Sequence, residues 1–295
     1  MRHFLIRLSI GAAIVIAAAA QSATAWALDL SGSFVQGGLV VGKADPGSKL
    51  TLDGHMVAVA PDGSFLLGFG RNAKETAVLK VLPPDGPEMI HNLKIEKRRF
   101  KVQRIDGLPE RKVTPMKAED LARIKKENAL VAEVRKRATP KTFFDTGFIW
   151  PAKGRISGVF GSQRILNGKP RNPHNGVDVA APKGTPVVAM GDGVVALSHP
   201  DMFFNGKTVM IDHGLGLTSV YIHMNSSTVK EGDFVTKGMQ IGTIGTTVFA
   251  YIAPAACRAT DTASAGSIAG ATSASATSTT STGSCRSTKR RNNRG

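Results

Sequence analysis

The sequence predicts a mainly β protein in which a small N-terminal β-sandwich is joined by a helix to a C-terminal antiparallel β-sheet domain. Short runs of apolar and β-branched residues recur along most of the chain, turn sequences separate them, and a single segment has the composition of a long helix. We divide the 295 residues into a leader (1–27), a sandwich (28–108), a helical linker (109–142), a sheet domain (143–247) and a tail (248–295).

The leader has the pattern of a secretory signal peptide. A basic start with Arg2 and Arg7 precedes an apolar run over residues 8–20, which is short for a membrane span, and small residues suited to cleavage follow. We therefore expect export to the periplasm or cell envelope, with no membrane span after cleavage. A retained anchoring helix is the alternative.

The predicted sandwich consists of short apolar runs between regular turn sequences. Asp-Pro-Gly, Asp-Gly and Pro-Asp-Gly recur between the runs, and such residues reverse the chain direction. His55 and His91 are interpreted as structural or exposed. A binding or inhibitory role stays open, as does a purely adhesin-like protein. The runs are 39–41, 49–52, 56–59, 64–69 and 76–82.

The linker contains a segment with the signals of a helix. Thr114 is placed to cap it, Pro115 would take the first helical position, and acidic residues follow early, as suits the helix dipole. We expect this helix to start at Pro115 and to stop before Thr139.

The sheet domain shows strand patterns separated by glycines, which predict tight turns and an antiparallel sheet. The predicted strands are 154–159, 186–190, 193–196, 207–211, 217–223 and 240–244.

Two candidate metal ligands, His174 and Asp178, lie four residues apart in the segment HNGVD. On a flat strand their side chains would be about 13 Å apart, too far to share an ion. Gly176 and Val177 disfavour a helix, whereas Asn175 and Gly176 tolerate positive φ and can bend the backbone. We therefore expect a loop ending at His174 and a strand beginning near Asp178, so that both side chains converge on one zinc ion.

A third candidate, His223, lies in the segment TSVYIHM (218–224), where polar and apolar residues alternate as in a half-buried strand. A histidine held by a rigid strand suits general acid–base catalysis, because its ordinary pKa lies near neutral pH. A surface or hydrogen-bonded core histidine is the alternative. We interpret His199 and His213 as structural loop histidines.

These residues belong to an ordered series of motifs. The series is GVFGSQR (158–164), HNGVDVAAPKGTPV (174–187), DGVV (192–195), DHG (212–214), YIHM (221–224) and VKEGD (229–233). Over residues 150–247 the chain resembles the lysostaphin/LytM-type zinc endopeptidases. The resemblance implies a zinc metalloendopeptidase that cleaves peptide bonds in bacterial cell-wall peptidoglycan. It also implies that His174 and Asp178 bind zinc and that His223 is catalytic.

The chain departs from the family pattern after Thr246. The family continues with a Gly-rich turn and a His-x-His strand that supplies a catalytic histidine and the third zinc ligand, whereas residues 247–295 contain no histidine. Catalytic zinc sites use three protein ligands, so the resemblance implies weakened zinc binding. A frame-shifted coding sequence and a non-catalytic module that binds peptidoglycan or activates amidases are two accounts of this departure. Loss of a central strand also predicts uncovered side chains at Val220, Ile222 and Ile244.

The formal net charge of +16 favours anionic surroundings. No nucleic-acid-binding motif accompanies this charge, so we expect peptidoglycan, and no nucleic acid, as the partner. Arg164, Lys169 and Arg171 are candidates for holding an anionic stem peptide, with ordinary loop charge as the equal alternative. The sequence leaves the oligomeric state open.

The tail is rich in Ala, Ser, Thr and Gly and carries Cys257 and Cys285, the two cysteines of the chain. So little apolar surface predicts disorder, and we expect no functional cysteine.

Overall fold

The computed structural model describes residues 28–114 and 117–253. The fold is mainly β, with an N-terminal β-rich region and a C-terminal antiparallel sheet, as predicted. The predicted leader (1–27) and the tail after residue 253 lie outside the described residues. Among the residues described, no helix has the length and apolar character needed to cross a membrane.

The N-terminal region contains two antiparallel sheets. One has the strand order β1 (Asp29–Gly32), β2 (Leu39–Lys43), β5 (Ser64–Gly68), and the other has the order β4 (His55–Val57), β3 (Lys49–Leu52), β6 (Thr76–Leu82), β7 (Met89–Lys94). Phe65 and Leu67 from the first sheet share one buried cluster with Leu50 and Leu79 from the second. Side chains from the two sheets therefore meet in the core of a small sandwich.

In the structure, the segment that links the two sheet regions begins before the predicted linker start at residue 109. It contains β8 (Val102–Ile105), the short helix α1 (Glu110–Val113) and α2 (Ala118–Lys136). The predicted helix start at Pro115 is wrong, because α2 begins at Ala118 and Thr114 instead ends α1. Lys117 occupies the N-cap position of α2 and makes no capping bond through its side chain. Acidic residues in the first turn and basic residues in the last still match the helix dipole.

Helix α2 packs on the C-terminal sheet through a narrow apolar stripe. Val134 and Val131 contact a buried cluster that includes Met202, Met210 and Val220. The buried residues of α2 are Asp120, Glu127 and Val134, so its covered face contains two carboxylates beside the apolar contact.

The C-terminal region forms one large sheet with a side hairpin. Its strands are β9 (Arg155–Gly158), β10 (Gln163–Leu166), β11 (Lys169–Pro170), β12 (Val177–Ala180), β13 (Pro186–Val188), β14 (Gly193–Met202), β15 (Gly206–Asp212), β16 (Thr218–Ser227), β17 (Phe234–Val235) and β18 (Gln240–Ala253). The order in the main sheet is β17-β14-β15-β16-β18-β12-β9, and β13 also pairs with β18. A short 3-10 helix, Phe143–Thr146, precedes it.

The sheet continues past the predicted domain end at residue 247. Strand β18 runs to Ala253 and pairs with β12 on one side and β16 on the other. The expected exposure of Val220, Ile222 and Ile244 is therefore wrong, since these side chains are 3%, 8% and 0% exposed. Residues without the family's histidines occupy a central strand because backbone pairing does not require those side chains.

The two β regions contact each other directly. Leu66 of the sandwich belongs to the same buried cluster as Val179 and Val187 of the C-terminal sheet. In addition, β8 pairs in parallel with β10, which forms a hairpin with β11. The sandwich and linker therefore support the segment that leads into the candidate ligands.

Candidate metal centre

The backbone bends between His174 and Asp178 as the sequence predicts. His174 precedes β12, where its N–H donates to Ser162 O at 2.8 Å and its carbonyl accepts from Gly161 N at 2.7 Å. Strand β12 then begins at Val177. The bend brings His174 Nε2 to 3.2 Å from Asp178 Oδ1. The predicted convergence of the two side chains is thus observed.

The separation of these two atoms fits two ligands of one zinc ion. Zinc binds His nitrogen and carboxylate oxygen at about 2.0 to 2.2 Å, and tetrahedral angles then place two ligand atoms about 3.4 Å apart. His174 Nδ1 lies 3.2 Å from Val159 O. If Nδ1 carries the proton and donates it to this carbonyl, Nε2 keeps its lone pair for a metal.

The neighbouring strand leaves room for the pair at Gly158. Gly158 on β9 is the register partner of Asp178. A Cβ atom at this position would overlap the Asp178 carboxylate and come within 2.9 Å of His174 Cε1. The backbone φ of Gly158 would allow other residues. Glycine is therefore required here because there is no space for a Cβ atom.

A guanidinium group lies against the other side of Asp178. Arg164 Nη2 is 3.3 Å from Asp178 Oδ2, and the two side chains are 29% and 18% exposed. Burial lowers the pKa of Arg164 from its ordinary value, and the charge of Asp178 acts in the opposite direction. From the sequence, Arg164 is a candidate for holding an anionic stem peptide or an ordinary loop charge. Its pairing with Asp178 was missed, because it depends on how β10 is placed.

The other two basic residues of this hairpin face the linker. Lys169 Nζ contacts Glu110 and lies 3.2 Å from Thr114 Oγ1, while Arg171 Nη2 donates to the same oxygen at 2.7 Å. Their positive charges therefore hold the hairpin to the segment around α1.

His223 lies on β16 but not in a regular strand conformation. Its φ is +60°, its N–H donates to Asn205 O at 2.8 Å, and the pairing with β18 shifts between Ile222 and Met224. Positive φ is uncommon for residues other than glycine and often marks functional sites. The sequence predicted plain alternation here and missed the bulge.

The pairing register of the central strand β18 identifies the residue of that strand that lies next to the candidate ligands. Phe249 of β18 is paired with Asp178 on one side and with Ile222, next to His223, on the other. Within residues 28–114 and 117–253, no group of three or more His, Cys, Asp or Glu residues is arranged to hold a metal ion. The pair of His174 and Asp178 thus fits zinc, and the described part of the chain adds no third ligand of these types.

The two remaining C-terminal histidines lie elsewhere. His199 is on β14, which β15, β16 and β18 separate from β12, and its Nδ1 accepts from Asp201 N at 3.2 Å. His213 is fully buried, with Nδ1 2.5 Å from Asp192 O and Nε2 2.8 Å from Ser219 Oγ. Both make local hydrogen bonds.

Comparison with known protein families gives a match over the part of the chain that contains the candidate ligands. Residues 172–276 match the model for Peptidase family M23. The chain carries a peptidase M23 domain. The match continues past residue 247, the predicted end of the domain. The domain boundaries given above remain a prediction.

Two curated relatives match this region of the chain over a small part of their own length. Peptidoglycan DD-endopeptidase ShyA of Vibrio cholerae is 41% identical over 99 residues, which are 32% of this chain and 22% of ShyA. Cell division protein DipM of Caulobacter vibrioides is 35% identical over 100 residues, which are 34% of this chain and 16% of DipM. The chain thus matches about a fifth of each relative's length.

One solved structure matches a larger part of this chain than the M23 domain alone. A crystal structure from Pseudomonas aeruginosa named as a peptidase M23 has 26% sequence identity and a TM-score of 0.58, and the alignment covers 79% of this chain and 92% of that one. This coverage is far greater than residues 172–276 alone. The N-terminal β regions therefore belong to the shared fold.

Proposed function

We propose that this chain is an exported metalloendopeptidase that acts on bacterial peptidoglycan through a zinc ion held by His174 and Asp178, with cleavage impaired for lack of a third ligand. The observation that carries the proposal is the 3.2 Å approach of His174 Nε2 and Asp178 Oδ1, two atoms of types that bind zinc, within the region that matches Peptidase family M23. The proposed substrate follows from the chemistry of relatives such as ShyA, whose name describes a peptidoglycan endopeptidase.

Each residue has a separate role in this proposal. His174 would bind the ion through Nε2, because Nδ1 faces the carbonyl of Val159, and Asp178 would bind through Oδ1. Zinc, when bound, supplies a Lewis acid that polarises a peptide carbonyl and lowers the pKa of water. His223 would give or accept a proton at a ring nitrogen during peptide cleavage.

The cellular location and the charge are consistent with this substrate. A leader of the signal-peptide type would deliver the chain to the periplasm, where peptidoglycan lies. A net charge of +16 favours association with anionic material. Both features support a cell-wall partner and leave the cleaved bond unspecified.

A second candidate is a non-catalytic module that binds peptidoglycan or activates amidases. The observation that favours it is the register position opposite Asp178, which is occupied by Phe249. Catalytic zinc sites have three protein ligands and one open position. A domain with two ligands would still be able to bind peptidoglycan and would lose most of its peptidase activity.

The proposal is tested by zinc analysis and peptide release on one set of proteins. The chain without residues 1–27 is compared with His174→Ala and with His55→Ala, an exposed histidine of the sandwich, as the control. We expect weak binding of one zinc ion by the starting chain and by His55→Ala, and loss of binding in His174→Ala. Each protein is incubated with purified peptidoglycan, and released peptides are measured by chromatography. We expect slow release that depends on zinc.

Two outcomes separate the candidates. Equal zinc binding by the starting chain and His174→Ala would overturn the proposed centre. Zinc binding that depends on His174 together with retention of peptidoglycan, but without any released peptide, would favour the non-catalytic module.

A further inference from the structure

Arg164 lies on a strand that the N-terminal part of the chain holds in place. Gln163 N donates to Lys101 O at 2.8 Å, and Asn167 N donates to Ile105 O at 2.9 Å, so β8 fixes both ends of β10. Such main-chain pairing restricts movement of β10 relative to the linker. The position of Arg164 is thus set by residues about 60 positions earlier in the chain.

A second contact fixes the approach to β10. Arg71 of the sandwich donates from Nε to Gly161 O at 2.6 Å, and its guanidinium carbon lies 4.7 Å from the centre of the Phe100 ring. That ring covers Gly161 so closely that a Cβ there would overlap it. Gly161, in turn, donates its N–H to His174 O. One short segment therefore connects the sandwich to both candidate ligands.

The Asp178 carboxylate is shared between two partners. Oδ2 lies 3.3 Å from Arg164 Nη2, and Oδ1 lies 3.2 Å from His174 Nε2. A carboxylate that is free to rotate would present either oxygen, or both, to a metal. Binding of one oxygen by a partly buried guanidinium holds the carboxylate plane and leaves the other oxygen beside His174.

We propose that Arg164 is a positioning residue for the metal centre: it holds Asp178 Oδ2 so that Oδ1 and His174 Nε2 face one ion. The inference rests on the proposed zinc site and adds a residue to it. Partners that orient metal ligands typically contribute about 10- to 100-fold to metal affinity.

Loss of the Arg164 guanidinium should change zinc affinity in the direction opposite to that expected from charge repulsion alone. A cation near a metal site repels the metal ion, so removal of a guanidinium that merely lies nearby would strengthen zinc binding. Removal of a guanidinium that orients the ligand would weaken it. The direction of the change in affinity therefore distinguishes the two roles of Arg164.

The test measures zinc affinity by competition with a chromophoric chelator. We expect about 10-fold weaker binding or more for Arg164→Met, and a smaller loss for Arg164→Lys, which keeps the charge without the paired N–H groups. Lys169→Met removes the same charge from the same hairpin, but Lys169 contacts Glu110 and Thr114. Its zinc affinity should stay within about twofold of the starting chain, well below the loss expected for a residue that orients a ligand. Equal or tighter binding by Arg164→Met would overturn the positioning role.

A metal-free measurement keeps the inference separate from the zinc proposal. Shifts in the midpoint of thermal unfolding are compared for Arg164→Met, Asp178→Asn and the double variant. We expect the double variant to shift by less than the sum of the single shifts, because the second change removes a partner already lost. Additive shifts would overturn the inference. If zinc binding of the starting chain proves independent of His174, the metal proposal fails, and this cycle still decides whether Arg164 holds Asp178.

Discussion

His213 and Ser219 form a hydrogen bond in the fully buried core of the C-terminal sheet, with 2.8 Å between Nε2 and Oγ. The chain of polar groups continues, since Ser219 Oγ lies 3.1 Å from Tyr221 OH, and that hydroxyl accepts from Met190 N at 2.7 Å. On the other ring edge, His213 Nδ1 meets Asp192 O. A neutral imidazole satisfies both hydrogen bonds of the His213 ring, because it has one N–H donor and one acceptor nitrogen.

The burial of His213 predicts that acid destabilises the fold. Burial lowers the pKa of His213 from 6.5 to about 4. Between these values the unfolded chain binds a proton that the folded chain does not, so the free energy of unfolding decreases as pH falls through this window. The full loss for this group is about 3 kcal/mol. Urea unfolding measured from pH 7 to pH 4 would detect it.

A variant at the same position provides the control for this pH dependence. In His213→Gln the group no longer titrates, and its unfolding free energy should vary less between pH 6.5 and 4, even though the variant is less stable at pH 7. An unchanged pH slope would show that other groups cause the acid sensitivity.

Local patterns predicted those features that depend on neighbouring residues in the chain. Asn175 and Gly176 bend the backbone by their own conformational preferences, and the convergence of His174 and Asp178 follows. The turn sequences and apolar runs likewise predicted several strands of both regions, such as β5 and β15, but not β1, β8, β10, β11 or β17. Features that depend on distant pairing were not predictable. Arg164 reaches Asp178 because β8 holds β10, and the position of β18 depends on register with two other strands.

Gly158 provides a direct test of the space around the candidate ligands. Because an added Cβ would overlap the Asp178 carboxylate, Gly158→Ala should displace that side chain and weaken zinc binding by about 10-fold or more, as for other changes that misplace a ligand. The added methyl group should cost about 1 to 3 kcal/mol of stability. Ile156→Ala, at an exposed position of the same strand, is the control and should leave zinc affinity unchanged. Normal zinc affinity in Gly158→Ala would contradict the ligand assignment.

The hydrogen bonds of Glu127 predict how much this side chain contributes to holding helix α2 on the sheet. Its Oε2 accepts from Phe203 N at 2.8 Å, and its Oε1 accepts from Arg123 Nε at 2.7 Å. Hydrogen bonds to a charged group contribute about 1.5 to 3 kcal/mol, so Glu127→Ala should lower the free energy of unfolding by about that amount. Glu133→Ala, on the same helix but in an exposed pair with Lys136, should cost about 0.5 kcal/mol or less. Equal losses in the two variants would mean that α2 is held by its apolar stripe alone.

The register of β18 predicts a substitution that would add a third ligand to the proposed zinc site. Phe249 is the partner of Asp178, and directly opposed residues of an antiparallel pair share one face with Cβ atoms about 4.5 to 5.5 Å apart. An imidazole introduced by Phe249→His is therefore expected near the ion that we propose His174 and Asp178 hold. Adjacent residues of a strand point to opposite faces, so Ala250→His should supply no ligand.

Zinc affinity and peptide release, measured together, test the proposal that the lack of a third ligand among the described residues limits peptidase activity. A third protein ligand completes the usual catalytic set, so Phe249→His should bind zinc at least about 10-fold more tightly than the starting chain and release peptides faster from peptidoglycan. Adding His174→Ala to this variant should abolish both gains. Tighter zinc binding without peptide release would indicate that the centre also needs the catalytic histidine that the family places two residues before its third ligand. Equal gains in Ala250→His would show that the register of β18 does not determine the site.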